Sequence, residues 1–69
     1  MVITLEQKAE LMDIYPRVRA GHSDSTETTR RMVLLYNEIY GAGYKPNTSC
    51  TRCLQNILNK IIQLYEENQ

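Results

Sequence analysis

Two amphipathic runs separated by a glycine-proline break constrain this chain more than any other feature. In the first, from Ser25 to Tyr40, a spacing of 100° per residue puts Met32, Val33, Leu35, Tyr36, Ile39 and Tyr40 within an arc of about 160°. Leu34 falls on the opposite side. In the second run, Cys50, Leu54, Ile57, Ile61 and Leu64 recur at helical spacing, and Leu58, Ile62 and Tyr65 form a seam beside them. Gly41 stands where a left-handed residue ends a helix, and Gly43 and Pro46 keep the loop from resuming one. A connection this short makes the flanking helices antiparallel neighbours. The expected result is a C-terminal antiparallel helical hairpin.

Upstream, Thr4 and Gln7 have the spacing of a capping box. Leu5, Ala9, Met12 and Leu11, Tyr15 then carry helical spacing as far as Pro16. Proline has no amide hydrogen and pushes the preceding residue towards extended backbone, so this helix is expected to stop near Ile14. Residues 16–23 read as a connector. Asp24-Ser25-Thr26-Glu27 repeats the capping-box spacing, with acidic charge in the first turn to complement the helix dipole. Thr48 or Ser49 is expected to cap the last helix. The fold class is all-α: a single three-helix domain over residues 1–69, with helices at about 5–14, 25–40 and 49–67.

A chain of 69 residues lies near the lower limit for a core that folds unaided, yet its 42% hydrophobic content is too high for disorder. The apolar face of the last helix spans about 160°, more than one antiparallel neighbour covers. Either the first helix or a second copy of the chain must cover the remainder. We expect self-association, with Leu34, Tyr44, Leu58, Ile62 and Tyr65 as the protein interface. With no Trp or Phe, all aromatic surface is tyrosine, which suits half-buried sites and interfaces.

Eight basic residues balance eight acidic ones, so bulk charge recommends neither nucleic acid nor an anionic membrane. Residues 17–52 are locally basic. Arg17, Arg19, Arg30, Arg31 and Lys45 are the candidates for a phosphate-facing strip in a nucleic-acid-binding alternative. The last helix, where a groove-reading helix would lie, carries only Arg52 and Lys60, which favours solvated charge over groove binding. Met1 leads directly into the amphipathic pattern, with no leader-like or membrane-length apolar run. The expectation is a cytoplasmic protein with reduced thiols.

Cys50-Thr51-Arg52-Cys53, at a helix start, is the one group with chemical content. Helix-terminal positive charge and Arg52 both favour thiolate. A redox reading lacks the strand that precedes a thioredoxin-like pair. For zinc, Cys50, Cys53 and His22 make three candidate ligands, one short of a closed structural site, although two chains could share four thiolates in a zinc-clipped homodimer. The default is that both cysteines pack as small apolar residues, with no cofactor. Paired carboxylates and a phosphate loop are both missing, and His22 has no nucleophile near it in the pattern, so catalysis is not expected.

The block Leu35-Tyr36-Asn37-Glu38-Ile39-Tyr40-Gly41, followed by Tyr44-Lys45-Pro46 and Cys50-Thr51-Arg52-Cys53-Leu54, resembles a group of short helical proteins. These are encoded by tailed bacteriophages and prophages of Bacteroidetes, crAss-like phages included. The resemblance covers roughly the second half of the chain. It implies a phage product located in the host cytoplasm or the virion, and it transfers no active site. The roles it implies are a virion or assembly component and an inhibitor of a host factor, each acting non-enzymatically through contacts with itself or another protein.

Overall fold

The computed structural model describes residues 3–68. Its described residues form three helices and no strand: α1 (Leu5–Val18), α2 (Thr26–Tyr40) and α3 (Thr51–Asn68). Each helix packs against both of the others. The radius of gyration is 10.8 Å, close to the roughly 11 Å expected for a fully packed chain of this length. No helix among the described residues is long and apolar enough to cross a membrane.

Helix α1 starts as its sequence requires. The Thr4 hydroxyl accepts from the Gln7 amide at 3.0 Å while the Gln7 side chain accepts from the Thr4 amide at 2.9 Å, so two orphan donors are satisfied reciprocally. Its end differs from expectation. The helix does not stop near Ile14 but continues through Pro16 to Val18, and the Arg19 amide still reaches the Tyr15 carbonyl at 2.9 Å. Proline removes one internal hydrogen bond, but the extra turn brings Val18 into the core beside Ile14, both with no exposed surface. Burying a valine contributes about 1.5–3 kcal/mol, comparable to the cost of an interior proline.

At the start of α2, Ser25 rather than Asp24 is the N-cap and accepts from the Thr28 amide at 3.2 Å. Thr28 is buried, and its hydroxyl donates to Asp24, so the polar group is satisfied within the turn. Gly41 ends the helix at φ 66°, and both its amide and that of Ala42 reach the Asn37 carbonyl. The Asn37 side chain then pairs with the Tyr44 backbone, donating to its carbonyl at 2.7 Å and accepting from its amide at 3.1 Å. The loop is thereby fixed to the helix it leaves.

Helix α3 begins two residues later than the sequence pattern suggested, and neither Thr48 nor Ser49 is its cap. Cys50 takes that role: its carbonyl accepts from the Leu54 amide at 3.0 Å and its sulfur from the Cys53 amide at 3.1 Å. Thr48 instead accepts from the Cys50 amide.

The core consists of Leu11, Ile14 and Val18 from α1, Met32, Val33 and Leu35 from α2, and Ile57, Leu58, Ile61 and Leu64 from α3. Ile3, Tyr36, Ile39, Leu54, Ile62 and Tyr65 pack around it. This arrangement corrects the expectation that a lone copy cannot cover α3. Leu58 is 4% exposed, and the Tyr65 ring lies stacked on Tyr15 of α1. The additional turn of α1 supplies the missing cover.

Candidate docking face on the first helix

Helix α1 carries two apolar seams and can turn only one of them inward. Leu11, Ile14 and Val18 face the core. Leu5, Ala9, Met12 and Pro16, at spacings of four, three and four, share the other face. All four are solvent-exposed, Leu5 at 86% and Met12 at 55%. Scattered exposed apolar residues are ordinary, but a seam sustained over the length of a helix has the spacing with which a second helix packs. Helical spacing alone placed Leu5, Ala9, Met12 and Leu11, Tyr15 on one helix without choosing which seam faces the core, so this face was not among the expected contact residues. The available signal was the competition between two seams on one short helix.

Grooves flank the seam on both sides. Between α1 and α2 a groove of about 280 Å³ is lined by Glu6, Gln7, Glu10, Arg31, Leu34, Leu35 and Glu38. Leu34, 49% exposed, supplies its accessible apolar surface. Its rim carries three carboxylates against one guanidinium, and that guanidinium is already engaged. Arg31 donates to both Glu10 oxygens, at 2.9 and 2.7 Å, and its Nη2 lies 2.6 Å from Asp13. The Arg31 hydrogen bond holds the Glu10 carboxyl below its usual range, while the two acids raise the affinity of Arg31 for its proton. Gln7 completes the wall by donating to Glu38 at 3.0 Å. On the other side, a groove of about 260 Å³ is lined by Lys8, Leu11, Met12, Tyr65 and Asn68. The face is therefore an apolar ridge with an acidic groove along one edge and an apolar groove along the other.

The other candidate residues are placed as follows. Tyr44 is 39% exposed on the loop, with its ring centroid 5.9 Å from that of Tyr36. Leu58 lies in the core, and Ile62 and Tyr65 are partly buried against it, so these three do not form the open stripe expected of them. Of the five basic candidates, Arg17 pairs with Asp24 at 3.3 Å and Asp13 at 3.9 Å, and Arg31 is engaged as described. Arg19, Arg30 and Lys45 are exposed, at the end of α1, within α2 and on the loop that follows α2. Cys50 and Cys53 are bonded to one another as a disulfide, contrary to the expectation of reduced thiols. In this form they do not present two thiolates to zinc, and His22 lies in the exposed connector before α2. Among the described residues no three His, Cys, Asp or Glu side chains are grouped so as to hold a metal ion.

Comparisons with protein-family models, with curated proteins and with solved structures find no match to this chain.

Proposed function

We propose that this chain is a non-enzymatic protein-binding module whose α1 outer face receives an amphipathic helix of a partner protein. The observation that carries the reading is the exposed Leu5–Ala9–Met12–Pro16 seam, with open grooves along both edges. The partner's apolar seam would lie along the ridge, with side chains reaching Leu34 on one side and Met12 on the other. Its Lys or Arg residues would face Glu6, Glu10 and Glu38, so a basic amphipathic helix fits best. In this reading α2 and α3 form the antiparallel hairpin that their short loop calls for. Helix α1 lies across that hairpin, one seam inward and one outward.

The phage resemblance supplies two settings for such a module: a virion or assembly component that captures a neighbouring subunit, and an inhibitor that captures a host protein. Self-association by antiparallel pairing of two α1 helices is less favoured than a basic partner, because it would set acidic edge against acidic edge. The nucleic-acid alternative is weakened by the engagement of Arg17 and Arg31 with carboxylates, which leaves less free positive charge for phosphate.

The test is a titration of the isotopically labelled chain with an 18-residue helical peptide of Leu and Lys, followed by amide chemical shifts. Shifts clustered on residues 5–16 and at Leu34 and Glu38, abolished by Met12→Asp, are the expected result. Equal binding of a Leu/Glu peptide, or shifts confined to α3, would overturn the reading.

A further inference from the structure

The Cys50–Cys53 bond closes a ring within the first turn of α3 and ties that helix to neither of the others, since the two cysteines are three residues apart. Leu54, Ile57, Leu58 and Ile61, which hold α3 in the core, lie beyond it in the sequence. A crosslink of this kind is poorly placed to serve as a structural staple.

Its surroundings fit a different role. Cys50 is exposed and Cys53 half-buried, so an incoming thiol meets the Cys50 sulfur first. That sulfur occupies the N-cap position and accepts the Cys53 amide at 3.1 Å. The same donor, together with the helix-terminal positive charge, would hold a Cys50 thiolate once the bond opened. A groove of about 160 Å³ begins beside Thr51, between the two cysteines in sequence. Met32, Leu54 and Leu58 contribute apolar lining, and Gln55 contributes a polar group beside the Ser23 and Thr29 hydroxyls, which are hydrogen-bonded to one another.

We propose that Cys50 and Cys53 form a reversible two-electron thiol–disulfide exchange site for low-molecular-weight peptide thiols. The thiolate of one thiol molecule attacks the Cys50 sulfur, the Cys50–Cys53 bond breaks, and Cys53 leaves as a thiolate that takes a proton. A second thiolate then attacks the sulfur of the reagent in the mixed disulfide, and Cys50 departs as a thiolate held by the Cys53 amide. Two thiols become one disulfide, and the protein gains two electrons and, on full protonation, two protons. This chemistry is independent of the α1 face and would stand or fall apart from it.

The test equilibrates the full chain in glutathione buffers of varied ratio, quenches with iodoacetamide, and reads alkylation by mass alongside helical circular dichroism. The expected result is reversible interconversion of a fully oxidised and a doubly alkylated form with unchanged helicity. In parallel, Cys53→Ser and Cys50→Ser, checked for retained helicity, are reacted with an aromatic disulfide reagent. The Cys50 thiol is expected to react about tenfold faster than the Cys53 thiol, following exposure and thiolate character. Three results would each overturn the proposal: resistance to glutathione until the chain is denatured, loss of helicity on reduction, or equal reactivity of the two thiols.

Discussion

Tyr15 and Tyr65 stack face to face, with ring centroids 3.8 Å apart and planes inclined by 11°. This contact joins the last part of α1 to the last part of α3, and it exists because α1 continues past the point where proline was expected to stop it. It turns the apparent surplus of apolar surface on α3 into an intramolecular contact. Replacing either ring by alanine should destabilise the chain, and the pair should show a coupling of about 0.5–1.5 kcal/mol in a double-mutant cycle. Urea unfolding followed by circular dichroism measures it. Strict additivity would mean that the rings are neighbours without mutual stabilisation.

Pro16 remains a local cost within α1, being exposed and inside the helix. Pro16→Ala should restore a donor towards the Met12 carbonyl and raise stability by about 1 kcal/mol or more. A rise in the thermal midpoint is the expected outcome. A fall would show that the proline ring makes a contact worth more than the missing hydrogen bond.

Leu58 and Leu34, which the sequence pattern grouped together, should separate sharply on substitution. Leu58 is 4% exposed and lies in the core, so Leu58→Ala should cost about 2–5 kcal/mol. In a domain this small, such a loss approaches the whole of its stability. Leu34 is 49% exposed, and Leu34→Ala should leave stability within about 0.5 kcal/mol. Comparable losses at both positions in denaturant titrations would contradict the packing.

The Glu10–Arg31 pair should make stability depend on pH in one direction. Hydrogen bonding to Arg31 lowers the Glu10 value from its ordinary 4.5 in the folded chain. Its contribution is therefore complete above about pH 4.5 and is lost as pH falls through the lowered folded value. The Glu10 side chain is 37% exposed, so solvent screening keeps the contribution near that of a surface pair. Glu10→Gln should cost about 0.5–1 kcal/mol at neutral pH. The gap to wild type should close in acid, once pH has fallen through the lowered folded value and the wild-type carboxyl is also neutral. A gap of the same size in acid as at neutral pH would mean that charge is not its source.

Of the fold, the parts legible in the sequence are those governed by chemistry a few residues apart. The Thr4–Gln7 box, the left-handed Gly41, the helical period of α2 and α3 and the outward position of Leu34 all follow from local rules, and the structure bears them out. The candidate face was less legible. Leu34 and Tyr44 are exposed as expected, whereas Leu58 and Tyr65 are covered and the outward Leu5–Met12 seam was not singled out by spacing alone.

Hydrogen-bonding groups and side-chain period along the chain were enough to decide where helices form and what starts or ends them. They could not decide which of two equally periodic seams of α1 turns inward, because both satisfy the same spacing. That choice belongs to packing. The seam holding Ile14 and Val18 fills the space between α2 and α3, and its burial carries α1 beyond Pro16 against a local penalty. The same packing brings Tyr15 over Tyr65 and leaves Leu5 and Met12 facing outward.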